Sequence, residues 1–199
     1  MLASLAFVVV AYLIGSVSFA VVTSKLFALP DPHSYGSGNP GATNVLRTGN
    51  KLAAAVTLVG DTAKGWFAVW LAQHYAAGFG AADWTIPAVA VAAFAGHIFP
   101  LYHGFAGGKG VATAGGIIVA IYWPLGLVLF LVWFTMAVGF KISSLASLTA
   151  TTLMPIGMFV TMGNQLVSWA MIPIALLLYW RHRANIRQLL TGSERRIGR

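Results

Sequence analysis

The stretch His97-Ile-Phe-Pro-Leu-Tyr-His-Gly-Phe-Ala-Gly-Gly-Lys-Gly-Val-Ala-Thr113 breaks an otherwise apolar chain with four glycines, a lysine and two histidines. It separates two apolar runs, Ile86 to Pro100 and Val111 to Ile121, so its reading decides whether the chain is one greasy core or a series of spans joined by polar loops. Gly104, Gly107, Gly108 and Gly110 carry no side chain, so their backbone can pass through positive φ and offer several N–H groups to one anion. Lys109 adds a full charge. Val111-Ala-Thr113 opens a helical run, and a loop at a helix N-terminus favours phosphate through free N–H groups and the helix dipole. The alternative is a plain interhelical turn whose lysine rests at lipid headgroups. A nucleotide P-loop is excluded by count: its pattern needs Gly at position 103 and Ser or Thr at 110, where His103 and Gly110 stand.

Composition sets the fold class. The chain has 199 residues, 58% hydrophobic and 8% charged, with a mean hydropathy of +0.80, more apolar surface than one small core can hide. Long apolar runs without strict alternation predict helices and not a β-barrel. We expect an all-α polytopic membrane protein forming a single domain over residues 1–199. With no cysteine, four acidic residues and five scattered histidines, thiol chemistry, metal centres and paired-carboxylate catalysis lack raw material, and no metal or cofactor is expected. The net charge of +8 suits anionic lipids or phosphorylated substrates. No basic–aromatic platform for nucleic acid accompanies it, so nucleic acid is not an expected partner.

Seven spans follow. Leu2 to about Val22 has its first cation, Lys25, behind it, the reverse of a signal peptide, and so reads as a retained helix with an outer N-terminus. Lys51 to about Ala77 returns outward, and Ile86 to Pro100 comes in again. Val111 to Ile121 and Leu125 to about Val138 form a pair joined at an outer turn, Tyr122-Trp-Pro124. Ser143-Ser-Leu-Ala-Ser147 opens the sixth span, which crosses at Thr149 to Thr161, its hydroxyls read as N-cap or ligand donors. Leu166 to Trp180 is the seventh and leaves the basic tail Arg181 to Arg199 inside. Every Lys and Arg except Lys64 then lies on the inner face. Lys64 and Asp61 fall within the second span, where charges are costly unless paired; their i, i+3 spacing lets them neutralise each other, a structural role, the alternative being a part in orienting the loops.

Two further segments gather on the same face as the glycine loop. Gly36, Gly38 and Gly41 spell G-x-G-x-x-G with Asp61 beyond, but a dinucleotide fold needs a strand and a βαβ unit that this chain does not offer. What remains is a cluster of phosphate donors beside glycines, Ser37, Asn39, Thr43, Asn44 and Arg47, or else a loop that caps the next helix. In the tail, His182 and Asn185 lie one helical turn apart and can face one ligand.

Gly36-Ser-Gly-Asn-Pro-Gly-Ala-Thr-Asn-Val-Leu-Arg47, Gly96-His-Ile-Phe-Pro100 with Phe105-Ala-Gly-Gly-Lys-Gly-Val-Ala-Thr113, and His182-Arg-Ala-Asn-Ile-Arg-Gln-Leu-Leu-Thr-Gly-Ser-Glu194 together resemble the three cytoplasmic motifs of the bacterial acyl-phosphate:glycerol-3-phosphate acyltransferases. The resemblance spans nearly the whole chain. It implies transfer of a fatty acyl group from acyl phosphate to the 1-hydroxyl of glycerol 3-phosphate, giving lysophosphatidic acid and phosphate. It also implies a site on the cytoplasmic side of the bacterial inner membrane, among membrane lipid, with the acyl-phosphate-producing enzyme as a candidate partner. By the same resemblance Ser37 and Arg47 are the essential polar pair, and Gly107, Gly108 and Gly110 around Lys109 hold glycerol 3-phosphate. Ser144, His182 and Asn185 line the site, and Glu194 is structural. Ser37, Arg47, Lys109, His182 and Asn185 are the expected catalytic set; Gly36, Gly38, Asn39, Thr43, Asn44 and Ser144 are expected to bind substrate.

The residue chemistry agrees. Acyl phosphate is an activated mixed anhydride, so positioning and charge neutralisation matter more than a strong base. None of His33, His74, His97, His103 or His182 has Asp five positions on, which excludes the other H-x-x-x-x-D acylation mechanism. The rival reading from another class is a transporter of a phosphorylated anionic solute. A transporter should carry polar groups through the midplane to the outer face, whereas the polar clusters here all fall inside.

Overall fold

A computed structural model describes residues 1–197. Gly198 and Arg199, the end of the expected single unit and basic tail, lie outside the described residues. The described chain is all helix and connecting loop: α1 (Leu2–Gly15), α2 (Phe19–Leu26), α3 (Ala42–Val45), α4 (Lys51–Tyr75), α5 (Thr85–Ile98), α6 (Val111–Phe140), α7 (Ser143–Met162), α8 (Leu166–Arg181) and α9 (Arg183–Leu190). The helix-breaking and apolar signals in the sequence place most of these ends. Asn50 caps α4, its Oδ1 accepting the Ala53 N–H at 2.9 Å.

α4 packs along α6, α1 along α5, and α7 joins α6 to α8. Small residues permit the closest crossings: a Cβ on Gly15 would lie 2.1 Å from the Ala93 carbonyl oxygen, and one on Gly96 2.3 Å from that of Tyr12. Phe94, Ile98, Ile117, Met171 and Ile174 form the fully buried centre.

Thr85–His103, Val111–Phe140 and Ser143–Met162 have the length and apolarity of membrane spans, the second of them counted across its internal break, and α1 with α2 makes a fourth when taken as one bent span. The expected single first span is therefore broken: α1 and α2 meet at 40° across Ser16, Val17 and Ser18. The break leaves the Val17 carbonyl outside both helices, and the Lys64 ammonium donates to it at 2.6 Å. Lys64 also pairs with Asp61 at 2.8 Å, both side chains almost fully buried, as their spacing predicts.

α6 contains the expected reversal. Tyr122 has non-helical backbone angles, φ −152° and ψ 89°, and Pro124 follows. A Cβ on Gly126 would stand 3.2 Å from the Cα of Val119. Seven residues of straight helix would separate the two by about 10 Å along the axis, so the chain folds back here.

Candidate active site

The three sequence segments meet at one end of the bundle, around a cavity of about 1890 Å³ between α4, α6, α7 and the α8–α9 junction. Ser37, Arg47, Lys109, Ser144, His182 and Asn185 all line it, as do Gly36, Gly38, Asn39, Thr43 and Gly110. Gly107 and Gly108 lie just behind.

The first loop is built on a single amide. Asn44 is buried on the four-residue α3, and its Oδ1 accepts from the Ser37 N–H at 3.0 Å, the Ser37 hydroxyl at 3.2 Å and Arg47 Nη1 at 3.1 Å. Its Nδ2 donates to the carbonyls of Pro32 at 2.8 Å and Tyr35 at 3.2 Å. With both ends of the amide spent, Asn44 holds Ser37 and Arg47 and has no donor left for substrate. Gly36 is required by this arrangement: its φ is +61°, and a Cβ there would lie 2.2 Å from Asn44 Oδ1. Thr43 stands apart at the rim, its hydroxyl 3.4 Å from that of Ser143.

The second loop is braced from outside. Gly104 and Gly110 take the positive φ expected of the glycines, but Gly107 and Gly108 do not. Those two are needed for close packing: a Cβ on Gly107 would meet the His97 carbonyl oxygen at 2.1 Å. The Gly108 N–H is also spent, donating to the His97 carbonyl at 3.2 Å. Gly107 and Gly108 therefore brace the loop, while Lys109, Gly110 and the open N-terminus of α6 face the cavity. Arg181, at the start of the basic tail, grips the loop with its guanidinium, Nε donating to the Gly108 carbonyl at 3.0 Å and a terminal nitrogen to that of Gly107. Nothing in the sequence singled it out beyond its place beside His182.

The third segment ties the loops together. Lys109 Nζ donates to Asn185 Oδ1, and Asn185 Nδ2 donates to Glu194 Oε1 at 2.8 Å. The Ser144 hydroxyl donates to the same carboxylate oxygen at 2.8 Å. Ser144 does not cap α7, which has no side-chain cap; it reaches the tail instead. Glu194 thus joins α7, α9 and, through Asn185, the glycine loop, which suits a structural role.

Charge is set by burial. Lys109 is held down to about 8 chiefly because its ammonium is withdrawn from water, with Arg47 and Arg181 adding repulsion against the partial relief of Glu194. It is charged at neutral pH and poorly neutralised, so a phosphate is a better partner for it than Asn185. Burial, followed by the Lys109 charge, pushes His182 down to about 4. His182 Nδ1 lies 2.9 Å from the Leu178 carbonyl, an acceptor only, so Nδ1 carries the hydrogen and Nε2 keeps its lone pair.

Away from this cationic end the same cavity becomes a trough lined by Leu58, Val59, Val119, Trp123, Leu127 and Phe130. Val59 is 65% exposed and Phe130 54%, so the trough is bounded by walls that are themselves far from buried. A cation-rich pocket continuous with an open apolar trough is a site for an amphiphile with an anionic head.

Such a site, on a bundle of helices apolar enough to cross a membrane, has the features that an enzyme handling acyl chains needs. The glycerol-3-phosphate acyltransferase family model matches residues 5–192, and the chain belongs to that family. Glycerol-3-phosphate acyltransferases of Cupriavidus pinatubonensis and Cupriavidus necator are 55% and 56% identical over 197 residues, covering 99% of this chain and 98% of each relative. That of Burkholderia cenocepacia is 55% identical over 192 residues, 95% of this chain and 88% of the relative. The fold is similar to crystal structures of PlsY (YgiH), an integral membrane glycerol 3-phosphate acyltransferase. Its glycerol 3-phosphate form superposes with a TM-score of 0.90 at 39% identity over 98% of this chain and 96% of that one. Its lysophosphatidic acid form gives 0.88 at 38% identity over 98% and 95%. The chain is an acyltransferase of the membrane, and the transporter reading falls away.

Proposed function

We propose that the protein transfers a fatty acyl group from acyl phosphate to the 1-hydroxyl of glycerol 3-phosphate, releasing lysophosphatidic acid and inorganic phosphate. The carrying observation is the continuity of the cavity, in which Arg47, Lys109 and the α6 N-terminus share one void with the apolar trough. Two phosphorylated reactants meet only if their charges are neutralised, and these groups supply that. The likeness to crystal forms named for glycerol 3-phosphate and lysophosphatidic acid supports the acceptor and the product.

The acceptor hydroxyl attacks the acyl carbonyl carbon, the carbon–oxygen bond to phosphate breaks, and the phosphate departs with the bonding electrons. The hydroxyl proton passes to a phosphate oxygen of the donor. His182, neutral but a weak base at about 4, orients that hydroxyl through Nε2. Ser37 and Arg47, preset by Asn44, hold one phosphate, while Lys109 and the amides of the α6 N-terminus hold the other. His182→Ala is accordingly expected to keep turnover at saturating substrate within about tenfold, less than the 10²–10⁴ that loss of a true general base costs; a collapse of turnover with unchanged binding would assign the proton to His182.

The proposed topology has seven spans, with α1 plus α2 as the first and the reversal at Tyr122 dividing α6 into two. The N-terminus is outside, and the site opens to the cytoplasm at the bacterial inner membrane. The clustering of Lys25, Arg47, Lys51, Lys109, Lys141 and Arg181 at loops and helix ends supports that orientation. The deciding experiment offers purified protein labelled glycerol 3-phosphate with acyl phosphate, acyl-CoA or an acyl carrier protein thioester in turn. Product from acyl phosphate alone is expected; product from a thioester alone would overturn the donor.

A further inference from the structure

Three buried ionisable side chains take no part in the chemistry above: Asp61 and His97, which reach the cavity wall from α4 and α5, and Lys64 on α4, at 3%, 7% and 4% exposure. Holding them inside a membrane bundle is costly, so their arrangement asks for a reason beyond mutual neutralisation. Lys64 is accounted for by the carbonyl of Val17 at the α1–α2 break and by Asp61. The Asp61 oxygen that pairs with Lys64 also stands 3.7 Å from His97 Nδ1, beyond hydrogen-bond reach, and that nitrogen has no other partner among the described residues.

The other edge of the His97 ring meets the glycine loop. A Cβ placed on Gly108 would lie 2.3 Å from His97 Nε2 on one side and 2.8 Å from the Pro40 carbonyl oxygen, in the first loop, on the other. The His97 backbone carbonyl accepts the Gly108 N–H. Gly108 is thus clamped between the His97 ring and the first loop, one residue before Lys109.

We propose that His97, oriented by the Asp61–Lys64 pair, is a positioning residue for glycerol 3-phosphate: its ring is the floor on which Gly108 rests and fixes where Lys109 meets the phosphate. The chain of contacts runs from the helix break at Val17 through Lys64, Asp61 and the imidazole to the loop. Each link is a side chain whose rotamer is fixed by burial, so the loop is placed by the rigid bundle and not by its own residues. This inference rests on Lys109 seating a phosphate of the acceptor.

The test is steady-state kinetics with both substrates varied, on purified, folded variants. His97→Ala is expected to raise KM for glycerol 3-phosphate about 10- to 100-fold, the scale of an ångström-sized displacement, with KM for acyl phosphate nearly unchanged. His97→Gln, which keeps bulk and a polar tip against Gly108, is expected to recover most of that loss. Gly108→Ala should harm the wild type more than it harms the His97→Ala background, because the ring is the first atom group its methyl meets. An unchanged KM in His97→Ala, a fall in kcat alone, or additive effects of His97→Ala and Gly108→Ala would overturn the proposal. Should the alanine variant fail to fold, Asp61→Asn keeps the side-chain shape and carries the same expectation at smaller size; a wild-type KM there overturns it equally. Lys109→Ala separates the two claims: a wild-type KM for glycerol 3-phosphate in that variant refutes the phosphate seat itself, whatever His97 does.

Discussion

The two loops that bring cations to the cavity are made in opposite ways. The first, from Tyr35 to Arg47, is braced from within: one buried amide, Asn44, collects five hydrogen bonds and fixes Ser37 and Arg47 before any substrate arrives. The second, from Gly104 to Gly110, has no such organiser. It is held by neighbours, the Arg181 guanidinium on two carbonyls and the His97 carbonyl on one N–H. A loop that braces itself can be disabled by one residue within it, whereas a loop braced by the bundle is disabled from far along the sequence.

Deleting the cation of either loop should be the largest effect. Arg47→Ala and Lys109→Ala are each expected to lower kcat/KM by about 10²–10³-fold, the usual loss for one preorganised donor at a developing or bound anion. Equal losses would show that both loops serve phosphate; a loss in only one would break the symmetry. Asn44→Ala comes next. It strands the buried Pro32 carbonyl, leaves that of Tyr35 with only the Gly38 N–H, and frees Arg47, so unfolding in detergent should show a loss of about 1–3 kcal/mol alongside a fall in kcat/KM. Wild-type stability in that variant would mean the loop has a second organiser.

Arg181→Lys tests the other kind of bracing. A lysine keeps the charge but cannot span two carbonyls with a planar fork, so KM for glycerol 3-phosphate should rise about tenfold, one lost charge-assisted bond of about 1.5 kcal/mol, with little change in thermal stability. The smallest change of structure, the loss of one proton, should show as a displaced pH limb. Lys109 must be protonated to attract phosphate, and its burial holds it at about 8. Its charge is therefore present below that pH and lost above it, and kcat/KM for glycerol 3-phosphate should fall as pH rises through about 8, not 10.5. In Lys109→Arg that limb should vanish.

Much of this was legible in the sequence where the cause is local. The reversal at Tyr122 follows from Pro124 and the shortness of the runs on either side, and the Asp61–Lys64 pair follows from its spacing. The convergence of the three polar segments followed from counting crossings and from a family resemblance. What the sequence concealed is where the partner lies far along the chain. The break at Val17 is capped by a lysine 47 residues away, and Arg181 works on carbonyls 73 and 74 residues away. Gly107 and Gly108 looked like anion donors because glycine freedom and glycine packing have the same spelling. Only the neighbours of each Cα distinguish them.

The trough beyond the cationic pocket has side walls, Val59 and Phe130 among them, that keep more than half of their own surface exposed. A ruler needs a stop, and a closed hydrophobic pocket can gain about 1–3 kcal/mol of selectivity per methylene from having one. On the proposed topology such a trough lies beside lipid and has none, since surplus carbons can spill sideways into surroundings as apolar as the protein. The carbon count of the transferred chain should then be settled by which acyl donors the cell supplies more than by this protein.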